Sequence, residues 1–330
     1  MFYTDYLEFD HSQMDVFRFL GRTAAQADGL PLSWSNSGIE FCFEGDRAEI
    51  HFAPYDQAEP VYVKAFFDDH SQRFCLAGSA PKVLLDFEEN GPHTVRLVRV
   101  SEGVSPLVFQ KVRIYGKNPR FTGAPTEKKY RIEFLGDSIT AGFGDVAPRD
   151  KNEYATYEQD STRTYAYLTA EALDAEIRTV CISGEGVWHS CGTEPGIRFP
   201  NIFRMATRTV TEYDHSSWQP DIMVLNCGTN DVPGGTTPET MKKEGAALLD
   251  QIRAAYPHAQ IIWLYGMMND KFNEPLAEMI VEKHKTDPKM HYLYVKDIYG
   301  MDDEVGAVGH PNVNASERVS QILVQFIRSL

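Results

Sequence analysis

The chain has 330 residues, enough for two domains of ordinary size, and 42% of them are hydrophobic, a proportion that supports packed cores and argues against a disordered chain. Its formal charge of −15 repels phosphate backbones, so nucleic acid is not an expected partner, whereas neutral sugars and small esters meet no such barrier. No apolar run approaches the length of a membrane span, and no membrane association is expected.

The N-terminal stretch from Met1 to Arg22 mixes acidic and aromatic residues and lacks the basic and apolar regions of a signal peptide. Five cysteines (Cys42, Cys75, Cys181, Cys191, Cys227) are scattered and odd in number, the usage expected of free thiols in a reducing compartment. The sequence thus predicts a cytoplasmic protein. His189 and Cys191 lie close together without a second pair at zinc-ligand spacing, so no metal site is predicted.

From about Gly38 to Gly116 the chain runs through short β-like segments: GIEFCFEG, RAEIHFA, PVYVKAFFDD, RFCLAG, KVLLDFEE, HTVRLVRV and LVFQKVRIYG. Polar turn signals such as Glu44-Gly45-Asp46 and Asn90-Gly91-Pro92 separate them, and no helical periodicity interrupts. This rhythm predicts an all-β sandwich or jelly roll over residues 1–120. The Pro-, Gly-, Thr- and Lys-rich segment KNPRFTGAPTEKK then reads as a linker, set at 121–129.

From residue 130 to 330 strand and helix alternate. The strand candidates YRIEFLG, IRTVCIS, DIMVLNCG, QIIWLYG and HYLYVKD are short and mostly apolar, as parallel strands covered on both faces should be. Thr237 and Pro238 open one helix, through MKKEGAALLDQIRAAY. The last helix carries Val319, Ile322, Leu323, Phe326 and Ile327 on one face, with Asn314 and Glu317 as an expected capping box. The pattern predicts a doubly wound α/β domain with a parallel sheet in a three-layer arrangement.

Ligands of such sheets bind beyond the carboxyl ends of the strands. There the sequence places Gly136-Asp137-Ser138-Ile139-Thr140, Ser183-Gly184-Glu185-Gly186 and Gly228-Thr229-Asn230-Asp231, with Gly309-His310-Pro311-Asn312 before the last helix. Together they hold the parts of acyl transfer. A serine hydroxyl needs a base to take its proton, and His310 titrates near neutrality. The backbone N–H groups of Ser138 and Gly184 and the amide of Asn230 can meet an oxyanion. Taken singly, Ser138 also reads as a helix cap, Gly184 and Gly186 as turn formers, Asn230 and Asp231 as turn formers or caps, and His310 as a surface histidine. It is their order along one α/β pattern that selects the catalytic reading.

The blocks GDSIT, SGEG, GTND and GHPN resemble the four signature blocks of the SGNH (GDSL-like) hydrolases, over about Tyr130 to Leu330. With SWSNSGIEFCFEG, IEFLGDSITAGFG and SGEGVW, the chain is similar to carbohydrate esterase family 2, whose members carry a β jelly roll ahead of a flavodoxin-like SGNH domain. The resemblance implies Ser138 as nucleophile, His310 as base, Gly184 and Asn230 as oxyanion donors, and no cofactor. It implies removal of acetyl groups from plant-type xylo- or manno-oligosaccharides.

Two positions depart from the family pattern. The aspartate usual three residues before the histidine is Ala307, which implies a Ser-His dyad oriented by a backbone carbonyl, or a displaced acid among Asp302, Asp303 and Glu304. The tryptophan often found before the histidine is Gly309, which leaves Trp188 and Met267, followed by Met268, as candidate sugar contacts; for all three, packing in the core or at the rim is the competing reading. The same scaffold also supports a lipid or thioester hydrolase, or a glycan-binding protein without turnover. Nothing in the sequence sets an oligomeric state.

Overall fold

Among the described residues, nine strands of one antiparallel sheet make up the strand-rich part of the chain: β1 (Tyr6–Asp10), β2 (Arg18–Leu20), β3 (Leu30–Pro31), β4 (Gly38–Phe52), β5 (Val61–Phe67), β6 (His70–Leu76), β7 (Lys82–Arg99), β8 (Val108–Tyr115) and β9 (Arg120–Gly123). The structure, a computed structural model, describes residues 6–54, 59–103, 107–192 and 196–330, and the chain divides into two units, Met1–Glu127 and Lys128–Leu330.

Two long strands replace four of the expected short ones. GIEFCFEG and RAEIHFA are one strand, β4, and KVLLDFEE and HTVRLVRV are one strand, β7. The two turn signals lie opposite each other, with Gly45 paired to Gly91 and Glu44 to Pro92, and the register shifts between Gly45 and Arg47. Across that shift β4 advances two residues, from Gly45 to Arg47, while β7 advances five, from Gly91 to Asp86, so the ladder carries three extra residues on the β7 side, more than a simple β-bulge inserts. The irregularity changes parity: Phe41 and Phe43 point inward before it, Ala48 and Ile50 after it. Both halves of β4 therefore face one core, shared with Val63, Leu85, Val95, Leu97, Phe109 and Ile114. The expected linker is also shorter than 121–129, because β9 pairs with β4 through Phe121 and Gly123.

The second unit contains β10 (Tyr130–Gly136), α1 (Ser138–Ala141), α2 (Tyr165–Ala172), β11 (Ala175–Cys181), α3 (Phe199–Ile202), β12 (Ile222–Asn226), α4 (Pro238–Ala255), β13 (Gln260–Gly266), α5 (Asn273–His284), β14 (Met290–Val295) and α6 (Val313–Arg328). Among its described residues five strands pair in parallel in the order β11-β10-β12-β13-β14. This is the 2-1-3-4-5 order of flavodoxin-type doubly wound sheets, whose direction of winding reverses between the first and third strands. Every residue of β12 is buried, as a central strand covered on both faces must be. Helices α2 and α6 pack together, as do α4 and α5.

Helix α4 starts as its sequence predicts, with the Thr237 hydroxyl accepting from the Thr240 N–H (3.2 Å) and Pro238 in the first turn. Helix α6 starts two residues earlier than the expected capping box. Asn312 is its cap, taking the N–H groups of Asn314 (2.9 Å) and Ala315 (3.2 Å) on Oδ1. A cap oxygen serves donors two and three residues ahead, which puts Asn314 inside the first turn. Among the described residues no helix is long and apolar enough to cross a membrane.

Candidate active site

The strand order fixes where chemistry can occur. β10 and β12 lie side by side at the reversal of winding, with Gly136 level with Asn226, so the loops that follow them flank the crevice at the carboxyl edge of the sheet. β11 ends level on the other side, with Gly136 opposite Cys181.

After β10 the chain turns at once into α1. A Cβ on Gly136 would collide with the Thr140 side chain, so only glycine permits this turn. Asp137 is fully buried and caps the short helix, its Oδ1 accepting from the Ile139 N–H (3.0 Å). Ser138 is the first helical residue. Its Oγ lies 2.9 Å from Nε2 of His310, 172 residues further along the chain.

His310 is held by the loop before α6. Ala307 N–H donates to the Gly144 carbonyl (3.2 Å), Gly306 N–H to the His310 carbonyl (2.7 Å) and His310 N–H to the Ala307 carbonyl (3.0 Å). The Phe143 ring packs on the imidazole with centroids 4.7 Å apart, and Tyr154 stacks on Phe143 at 4.0 Å. The second ring nitrogen, Nδ1, is 3.2 Å from the carbonyl oxygen of Val308. A carbonyl only accepts, so Nδ1 carries the proton and Nε2 presents its lone pair to the serine hydroxyl. Burial pushes the His310 pKa below the ordinary imidazole value, opposed by the hydrogen bonds to the Val308 and Ala307 backbone. The imidazole is therefore a neutral acceptor at neutral pH.

Of the three acids upstream, two have their carboxylates engaged elsewhere. Asp302 pairs with Arg149 (2.7 Å) on the surface. Glu304 holds Arg318 through both carboxylate oxygens, each at 2.7 Å. Asp303 offers its backbone carbonyl to the side chains of Asn312 (2.8 Å) and Asn314 (2.9 Å). Ala307 is fully buried, with Gly144 directly against its methyl group.

Asn230, after β12, bridges the other two strand ends. Its amide nitrogen donates to the Glu185 carbonyl (2.9 Å) and to Asp137 Oδ2 (3.2 Å). Gly184 has a φ of +81°, open to glycine at little cost, and its carbonyl accepts from the Cys191 N–H (2.6 Å). The structure thus brings Ser138 and His310 into contact and ties Asn230 to the loop that carries Gly184.

The two expected sugar contacts fare differently. Trp188 is half-buried, with the Arg198 guanidinium 4.8 Å from its ring centroid, a cation–π distance. Met267 is fully buried, and a side chain without exposed surface cannot form a sugar platform, so that expectation is corrected. Its backbone has a φ of +63° and its carbonyl accepts from the Ile298 N–H (2.7 Å): it belongs to the packing after β13. Sequence reasoning missed Asp231. Adjacent to Asn230 and fully buried, its carboxylate accepts from the N–H groups of Val187 (2.7 Å), Trp188 (2.8 Å) and His189 (3.0 Å) and from the Thr236 hydroxyl (3.1 Å). The available signal was an acid in the short loop after an apolar central strand, where an ionised group is costly if buried unless several donors meet it.

A serine hydroxyl in contact with a neutral imidazole, beside an asparagine amide at the carboxyl edge of a parallel sheet, is an arrangement that can carry out hydrolysis. Comparison with known proteins agrees. Residues 134–294 match the GDSL-like lipase/acylhydrolase family, and residues 19–125 match the carbohydrate esterase 2 N-terminal domain. The protein is a carboxylic ester hydrolase. It combines a GDSL-like lipase/acylhydrolase domain with a carbohydrate esterase 2 N-terminal domain.

A protein of Cellvibrio japonicus named acetylxylan esterase / glucomannan deacetylase is 27% identical over 259 residues, which span 75% of this chain and 70% of that one. An acetyl xylan esterase structure from the rumen bacterium Butyrivibrio proteoclasticus superposes with a TM-score of 0.88 at 23% identity, covering 99% of this chain and 98% of that chain. The structure of a family two carbohydrate esterase from Clostridium thermocellum in complex with cellohexaose gives 0.85 at 22% identity, covering 95% and 98%. At these identities the two structures speak for a shared fold.

Proposed function

We propose that the protein is a carbohydrate O-acetylesterase that removes acetyl groups from plant-type xylo- or manno-oligosaccharides through an acyl-enzyme formed by a Ser138–His310 dyad. The observation that carries this reading is the 2.9 Å contact between Ser138 Oγ and His310 Nε2, with Nδ1 turned to the Val308 carbonyl. The substrate class rests on the relative named acetylxylan esterase / glucomannan deacetylase and on the carbohydrate esterase 2 N-terminal domain, which we read as a jelly roll.

In this mechanism Ser138 Oγ attacks the acetyl carbonyl carbon as its proton passes to His310 Nε2. The carbonyl oxygen becomes an oxyanion, met by the N–H groups of Ser138 and Gly184 and by the Asn230 amide. Both amide hydrogens of Asn230 are engaged at rest, so it reaches the oxyanion by yielding the longer bond, to Asp137. Collapse expels the sugar hydroxyl, which takes the proton from the imidazolium and leaves acetyl-Ser138. A water then attacks, passing its proton to His310, and acetate departs as Ser138 regains its hydrogen. The Val308 carbonyl holds the tautomer throughout. It carries no full charge, so it stabilises the imidazolium less than a carboxylate would.

The test is acetate release from acetylated xylo- and manno-oligosaccharides by the parent and by Ser138→Ala. Loss of release in the folded variant is expected. Faster cleavage of long-chain acyl esters or thioesters than of acetylated sugars would select the lipid or thioester reading. Binding of oligosaccharide without turnover by the parent would select a glycan-binding protein.

A further inference from the structure

We infer that Asp231 is a positioning residue for ester hydrolysis: its carboxylate sets the 184–191 loop so that the Gly184 N–H meets the oxyanion. This rests on the esterase reading and adds to it a residue whose part is played through the loop, away from the reacting atoms.

The loop is closed at its neck by the bond from Cys191 N–H to the Gly184 carbonyl (2.6 Å). Its interior is filled by one carboxylate. Asp231 Oδ2 takes the Val187 N–H, and Oδ1 takes those of Trp188 and His189 with the Thr236 hydroxyl. Three successive backbone N–H groups converging on one anion form a concave cradle of the kind that binds free anions elsewhere. Here the anion is built into the chain. Close approach depends on Gly186, where a Cβ would strike the His189 carbonyl and come within 2.6 Å of Asp231 Oδ2. The His189 ring is fixed from the same side, its Nδ1 lying 2.9 Å from the Thr236 hydroxyl.

Asn230 and Asp231 thus grip the loop at successive points, Asn230 at the Glu185 carbonyl and Asp231 at residues 187 to 189. Gly184 is the residue at the neck, and its φ of +81° lies in a region where glycine moves at little cost. Such a donor does not hold itself in place. Its direction is set by what anchors the chain beyond it, and that anchor is Asp231. Charge matters as well as shape: a carboxylate accepts four bonds, whereas the amide of Asn accepts at one oxygen and turns two N–H groups toward donors.

The experiment compares the parent with Asp231→Asn, Asp231→Glu, Thr236→Val and Thr236→Ser. The readouts are kcat and KM on an aryl acetate, the rate at which a fluorophosphonate labels Ser138, and folding by circular dichroism. Displacement of a donor by about 1 Å costs on the order of 10²-fold in rate. Asp231→Asn should therefore lower kcat and labelling rate together by about 10- to 100-fold, with KM nearly unchanged. Thr236→Val should show the same signature more weakly, and Thr236→Ser, which keeps the hydroxyl, should restore it. Asp231→Glu, which keeps the charge, should fall between parent and Asp231→Asn. Asp231→Asn, folded, with kcat within about twofold of the parent, or a change confined to KM, would overturn the inference. If Asp231→Asn does not fold, the Thr236 pair decides: equal kcat in Thr236→Val and Thr236→Ser would overturn it. A parent that the fluorophosphonate does not label would instead overturn the esterase reading itself.

Discussion

The imidazole Nδ1 of His310 points at the carbonyl oxygen of Val308, two residues back in the same loop, at 3.2 Å. The imidazole is thus oriented by its own main chain, in the place where serine hydrolases commonly use an acidic side chain.

The three nearby acids should then matter little for turnover. Asp302→Ala and Asp303→Ala should each lower kcat by less than about tenfold, or roughly 1.4 kcal/mol of barrier, while His310→Ala removes nearly all activity. Glu304→Ala should likewise spare kcat but cost stability. It leaves Arg318, 25% exposed, without its bidentate partner, and about 2–3 kcal/mol is expected, below the full cost of an orphaned buried charge. Steady-state kinetics with thermal denaturation of each variant checks this. A loss at any one acid approaching that of His310→Ala would establish a displaced triad.

Val308 has a φ of +53°, a left-handed backbone, and the residue is 44% exposed. That conformation costs a non-glycine residue roughly 1–2 kcal/mol, against a glycine entropy cost of about 0.5–1 kcal/mol. Val308→Gly should leave stability unchanged or raise it by up to about 1 kcal/mol, with kcat within about threefold of the parent, roughly 0.7 kcal/mol. Val308→Pro should lower kcat sharply, since it removes the N–H that donates to the Lys151 carbonyl (2.9 Å) and forbids the positive φ. Kinetics of the pair separates the carbonyl from the side chain.

The pH profile follows from the burial of His310, which lowers its pKa. Catalysis needs the neutral imidazole, so activity is present above that pKa and lost as pH falls through it. The acid limb of kcat/KM, which reports the free enzyme, should therefore have its midpoint below the ordinary histidine value of about 6.5. A midpoint above that value would contradict the burial of the base.

Asn230→Ala should lower kcat by about 10²–10³ with little change in KM, because the oxyanion forms only near the transition state. A variant altered mainly in KM would move Asn230 to substrate binding.

Much of this was legible in the residues. The short apolar runs of the second unit pointed to parallel strands because strands covered on both faces read as near-continuous hydrophobic runs, and the blocks after them marked the carboxyl edge. What escaped was long-range. Glu44-Gly45-Asp46 and Asn90-Gly91-Pro92 carry turn chemistry, yet they face each other across a ladder, and the register irregularity beside them keeps two half-strands on one core. Met267 looked available because it follows a strand, whereas its burial depends on neighbours the local sequence does not reveal. Asp231 passed as a turn former because its four donors come from two loops, one of them some 40 residues away along the chain.

No codon specifies a peptide oxygen. An aspartate that orients a histidine can be erased by a single base change, whereas the acceptor that serves His310 survives every substitution that leaves the path of the loop intact. Drift at position 308 is thus tolerated across most side chains, and the hereditary weak points move to whatever fixes the path: an inserted or deleted residue between Glu304 and His310, a proline, or loss of the glycine at 144 that receives Ala307.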